Sequence, residues 1–154
     1  MSEPGASLRR MPTGPFWDVV EGRAEPPPIA RLLGFRLRHV DLEAMTIDVE
    51  FTATPEFLNP AGNVQGGMLA AMLDDTMGPA LVATLGPDEW APTTNLQVQF
   101  LRPAGPGTLI GRGRVVRRGG TVAFLAGELE DADGHVVASA VATATVRGVR
   151  PVAG

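Results

Sequence analysis

"NPAGNVQGGMLAAMLDDTMGPAL", residues 59–81, decides the fold. From Gly66 onward it reads as a helix of roughly 66–85. Met68, Leu69, Ala70, Ala71, Met72, Leu73, Met77, Leu81, Val82 and Leu85 occupy almost every angle around its axis. A helix apolar nearly all round belongs in an interior. This one nevertheless carries two adjacent carboxylates, Asp74 and Asp75, and burying a charge is costly unless something compensates it. Pro79 cannot donate to the Asp75 carbonyl, so a kink or an end of the helix is expected there, a reading that Gly78 strengthens.

Outside the helix the hydrophobic period is two. In "TIDVEF" Ile47, Val49 and Phe51 face one way and Asp48 and Glu50 the other, the pattern of a half-buried strand. "RLRHVDLE" before it is the expected hairpin partner. After the helix come "TTNLQVQF", "TLIGRGRVV", "TVAFLAGELE" and "HVVASAVATATV", joined by "RPAGPG", "RRGG" and "DADG". The last two joints are Gly-rich hairpin turns. "DADG" lacks the terminal Glu of a calcium loop and reads as a plain turn. At the front, "FWDVVEGR" and "IARLLGF" read as short helices on either side of "PPP", preceded by a loose proline-containing tail to about residue 15. Phe16 and Trp17 read as packing residues of that segment. The expected organisation is a tail and short helix over 1–25 and one domain over 26–150. That domain has two strands, one long helix and a four-strand meander. A helix this apolar needs a sheet around it, so the expected class is α+β, a curved antiparallel sheet of about six strands wrapped around one central helix.

Composition narrows the chemistry. The 154 residues are 44% hydrophobic and 19% charged with a net charge of −4, ordinary for a globular domain and without a basic run that would favour nucleic acid or an anionic membrane. There are no cysteines, which closes disulfides, thiolate metal sites and cysteine nucleophiles and suits a reducing compartment. No run of about 18 strongly apolar residues marks a membrane helix, and no signal pattern opens the chain, so a cytoplasmic protein is expected. Ser2, Ser7 and Ser139 are the only serines, none in a nucleophile-elbow motif. His39 and His135, the only histidines, are not spaced as metal ligands. "GRG" at 111–113 is too short for a phosphate-binding loop. An enzyme with this inventory works through carboxylates, amides, hydroxyls and backbone.

"PPPIARLLGF", "NPAGNVQGG", "MLDDTMG" and "TTNLQVQFLRPA" stand in the order seen in hotdog-fold acyl-CoA thioesterases. The resemblance, over about residues 26–147, is to the phenylacetate-degradation type, related to 4-hydroxybenzoyl-CoA thioesterases. It implies hydrolysis of an acyl-CoA to a carboxylic acid and free CoA, with no metal and no cofactor beyond the substrate's CoA. Position by position it puts the active-site Asn on Asn59 and the oxyanion-binding glycine on Gly66. The acid acting as base or nucleophile falls on Asp74, and the hydroxyl that orients the attacking water on Thr93. Gln65 stands where many relatives have His; its amide can still polarise the thioester but cannot act as a base. Gly67 and Met68 continue the block as substrate-binding positions. Arg117 and Arg118 are candidates for the CoA phosphates, since guanidinium matches phosphate geometry, although hairpin arginines are commonly just solvated.

Elementary physics bears on these implied roles. A glycine at a helix N-terminus offers N–H groups without intrahelical partners and lets a ligand approach closely. "GG" could equally serve close packing alone. Asn59 before Pro60 suits a turn as well as a catalytic role, and Thr93 suits a strand. Asp74 lies eight residues beyond Gly66, about 12 Å along a helix. It therefore cannot act on a carbonyl held at its own chain's Gly66: either the resemblance misleads or, as the resemblance to hotdog proteins implies, the acid comes from another subunit of a homodimer or a dimer of dimers with shared sites. Two other readings remain: a non-catalytic acyl-CoA-binding protein, favoured by Gln65, and a hotdog hydratase or dehydratase, which would want a well-placed His.

Overall fold

The computed structural model describes residues 12–148. Residues 1–11 of the expected tail and the chain beyond 148 lie outside the described residues. Two short helices, α1 (Pro15–Val20) and α2 (Pro28–Leu33), come first, each begun by a proline. A proline suits the first helical turn, where its missing N–H would be unpaired anyway. Gly34 ends α2 in the left-handed conformation at φ 67°. The α1 helix docks on the rest of the chain: Trp17 Nε1 donates to the Ala83 carbonyl at 3.1 Å, and Phe16 meets Trp17 edge-on at 5.1 Å.

The hairpin β1 (Arg36–Asp41) and β2 (Thr46–Ala53) forms as expected, and Ile47, Val49 and Phe51 are fully buried. A 3-10 turn, Pro55–Phe57, leads towards α3 (Gly66–Val82). The remaining strands are β3 (Glu89–Trp90), β4 (Thr93–Phe100), β5 (Gly107–Arg118), β6 (Val122–Glu130), β7 (Val136–Thr145) and β8 (Arg147–Gly148). Six of them form one antiparallel sheet in the order β1-β2-β5-β6-β7-β4, with α3 packed against its inner face. The short β3–β8 ladder had no signal in the sequence; two-residue strands carry no period.

The four-strand meander is corrected by this order. The strands β5, β6 and β7 do follow as hairpins, but β4 pairs with β7 at the far edge instead of with β5. "RPAGPG" is therefore a crossover and not a hairpin turn. Leu101 and Arg102 both donate to the Val137 carbonyl, and the buried Ala104 accepts from Val64, so the segment is held as it passes the end of β7. The helix also differs from expectation at its end. It runs through Pro79 to Val82, and Ala83 donates to the Pro79 carbonyl at 3.0 Å. The proline costs α3 one hydrogen bond, while Ala80 and Leu81 remain buried beyond it and hold the helix in register.

Two glycines of the "GRG" stretch explain how closely α3 approaches the sheet. A Cβ on Gly111 would lie 2.2 Å from Thr76 Oγ1, and one on Gly113 would lie 2.8 Å from the Thr76 carbonyl. Thr76 is the only buried polar residue among those described, and its hydroxyl donates to the Met72 carbonyl at 2.7 Å. "DADG" is a plain turn: Asp131 Oδ1 accepts from the backbone of Asp133 and His135.

Candidate active site

The "NPAGNVQGG" block makes a tight loop into the start of α3. Asn59 Oδ1 accepts from Ala61 and Asn63 at 3.0 and 3.2 Å, an Asx-type turn. Its Nδ2 has no hydrogen-bond partner among the described residues. Gln65 occupies the N-cap position. Its N–H donates to the Phe57 carbonyl at 2.8 Å, and its carbonyl accepts from Met68 and Leu69. The Gln65 side chain is exposed and makes no capping bond. The N–H groups of Gly66 and Gly67 are left without partners among the described residues, at the positive end of the helix dipole. Such a pair of donors suits an oxygen that gains negative charge.

Further along α3, Thr93 Oγ1 donates to Asp74 Oδ1 at 2.9 Å. The two residues singled out as acid and hydroxyl are thus brought together by the start of the edge strand β4. Asp74 stays partly exposed. In its neighbour Asp75, Oδ2 is buried without a hydrogen-bond partner, and burial, followed by the Asp74 charge, pushes its pKa up to about 7. The sequence marked the pair but not this division.

Asp75 has a consequence for stability. Its folded-state pKa lies above the usual carboxylate value, so the native state holds a proton that the unfolded chain has released. Its contribution is therefore full below about pH 4 and is lost as pH rises through about 7. Asp75→Asn should remove that part of the decline, leaving denaturant midpoints that change less between about pH 5 and 8 than in the wild type. Equal declines in both proteins would show that Asp75 ionises freely.

Other expected positions lie elsewhere. Arg118 is held 3.7 Å from Glu89, on the segment after α3, while Arg117 is exposed on β5. Gly67 is exposed and Met68 half-buried at the start of α3. Phe100 was not marked as a site residue. Its ring lies over Gly66, where a Cβ would be 3.1 Å from ring carbon Cζ, and it is 55% exposed. An aromatic at the end of an alternating strand looks like one more core position, and only the fold shows it against the helix N-terminus. One chain thus holds two groups of candidate residues, Gly66–Gly67 under Phe100 and Asp74 with Thr93, at the two ends of β4.

Residues 61–138 match the family model described as the thioesterase superfamily. A phenylacetic acid degradation-related protein of Ralstonia eutropha JMP134, of solved structure, is 47% identical, covers 84% of this chain and 98% of its own, and superposes with a TM-score of 0.83. A provisionally named esterase of Saccharolobus solfataricus is 32% identical over 102 residues, 66% of this chain and 72% of its own. A Streptococcus mutans protein solved bound to acetyl CoA shares the fold, with a TM-score of 0.67 at 24% identity over 76% of this chain and 91% of its own. Among the described residues no helix is long and apolar enough to cross a membrane. The chain belongs to the thioesterase superfamily and is a thioester hydrolase built on the hotdog fold.

Proposed function

We propose that the enzyme hydrolyses acyl-CoA thioesters carrying aryl or medium-length acyl groups, at sites shared between two copies of the chain. The observation that carries this reading is the separation of the half-sites. Gly66 and Asp74 belong to one straight element, about 12 Å apart, whereas Asp74 and Thr93 are already paired at 2.9 Å. Each half lacks what the other has.

The edge strand supports a way to join them. The outer edge of β4 is unpaired within the chain, an open template for another strand. Two such edges meeting antiparallel about a twofold axis place the end of one strand opposite the start of the other. Phe100 and Gly66 then face Thr93 and Asp74 of the partner subunit. The face of α3 turned from the sheet carries the small or apolar Gly67, Ala71, Gly78 and Val82 around Asp74 and Asp75, which lets a second copy approach closely where the carboxylates stand.

In such a site the thioester oxygen sits on the Gly66 N–H, with the Gln65 amide and Asn59 Nδ2 as further donors. Asp74 of the partner subunit takes a proton from water, or attacks the carbonyl itself, while Thr93 holds its Oδ1 and orients the water. The tetrahedral oxyanion is stabilised at the helix N-terminus and collapses with loss of CoA, which leaves as its thiol with the proton that Asp74 took from water. On the direct-attack route CoA leaves as thiolate, and water then cleaves the acyl–Asp74 anhydride, giving the carboxylic acid and the proton. CoA enters with the substrate, and the chemistry asks for no metal or further cofactor. The S. mutans protein holding acetyl CoA supports CoA as the carrier. The absence of cysteine supports a reducing, cytoplasmic setting, and a net charge of −4 without a basic run gives nucleic acid or an anionic membrane no footing.

The direct test is thiol release across a panel of acyl-CoAs, with mass measured by light scattering at the assay concentration. Turnover by a dimer or larger assembly is expected. Full activity from a monomer would end the shared-site reading. Acyl-CoA binding without turnover on any member would favour a binding protein, for which Gln65 in place of His is the best argument.

A further inference from the structure

We propose that Phe100 is a specificity-determining residue of this thioester site, its ring forming the wall that excludes acyl groups branched at the carbon next to the carbonyl. The inference rests on the Gly66 N–H as the oxyanion donor. Phe100 terminates β4, on the same face as the partly buried Leu96 and Val98, and is itself 55% exposed. Its ring is packed on the α-carbon of Gly66, with Cζ, Cε1 and Cε2 lying 3.1, 3.3 and 3.5 Å from where a Cβ would be.

A carbonyl oxygen on the Gly66 N–H stands about 2.9 Å from that nitrogen. Its carbon and the next acyl carbon are then within a few ångströms of the ring. A methylene chain or a flat ring passes beside Phe100, whereas a methyl branch at the first acyl carbon meets it. Gly66 has no side chain to set this boundary. Phe100 reaches it from another element. The same ring supplies apolar contact to the unbranched acyl group, so losing it raises KM more than it lowers kcat.

The test compares straight-chain and 2-methyl-branched acyl-CoAs of equal length, for wild type, Phe100→Ala and Phe100→Trp, with mass and thermal unfolding recorded for each protein. One methyl group in a shaped pocket is worth roughly 10-fold or more in kcat/KM. The wild-type preference for the straight chain should fall by about that factor in Phe100→Ala and rise in Phe100→Trp. KM for the straight chain should increase severalfold in Phe100→Ala, with kcat changed much less. An unchanged straight-to-branched ratio in a folded, active Phe100→Ala overturns the proposal, as does a loss of kcat equal for all substrates, which would make the ring a mere support for the helix start. A Phe100→Ala protein that becomes monomeric also overturns it, assigning the ring to the subunit contact. Failure of the underlying site is a separate result. It shows as undiminished activity when the Gly66 N–H is removed, whatever Phe100 does.

Discussion

Replacing Asp74 by asparagine should lower kcat by about 10²–10⁴-fold, the contribution commonly made by one general base. Substrate binding and fold should be retained. Asparagine is nearly isosteric and keeps an oxygen for the Thr93 hydroxyl, which donates to Asp74 Oδ1 at 2.9 Å. It cannot accept a proton from water at neutral pH, nor attack as a carboxylate. Asp75→Asn is the control. Asp75 has a buried, unpartnered Oδ2, and its pKa of about 7 leaves it half protonated at neutral pH. It should change stability and its pH dependence far more than turnover. Steady-state kinetics of both variants, with CoA release followed by a thiol reagent, decides between them. A large loss in Asp75→Asn with a small one in Asp74→Asn would move the catalytic acid by one residue.

The second large effect concerns the other half-site. Gly66 is the first residue of α3, where proline is well tolerated because its missing N–H has no intrahelical partner. Gln65 before it is extended, at φ −55° and ψ 134°, as a residue preceding proline must be. Gly66→Pro therefore deletes one oxyanion donor while leaving the helix in place, at the cost of a small displacement of the exposed Phe100 ring. Loss of one such donor costs about 2.7–4 kcal/mol in the transition state, or 10²–10³ in kcat. Gly66→Ala keeps the N–H, crowds the same ring and should lose much less. If the alanine and proline variants were equally impaired, crowding and not the lost donor would be the cause.

Much of this was legible in the sequence because the signals were local. The period-two strands, the Gly and Pro punctuation and the apolar helix carrying Asp74 and Asp75 gave the α+β class and the six main strands. The sequence order of motifs gave the family. What was not legible depends on distant partners. The place of β4 beside β7 is set by a crossover that looks like a turn. The survival of α3 past Pro79 is set by burial of Ala80 and Leu81. The place of Phe100 over Gly66 is set by where α3 starts, which the strand pattern does not show. "GRG", excluded as a phosphate loop, has its reason in the approach of Thr76 to Gly111 and Gly113. Asn59 showed both of its readings at once, with Oδ1 committed to the turn and Nδ2 left over.

The central claim is that each site takes Gly66 from one chain and Asp74 from the other. Co-expressing Asp74→Asn chains with Gly66→Pro chains in equal amounts tests it most directly. Random assembly makes roughly half of the dimers mixed, each with one site that has both the intact N–H and the intact carboxylate, so about a quarter of wild-type kcat should return. Activity no greater than the sum of the two separately prepared variants would contradict the shared site.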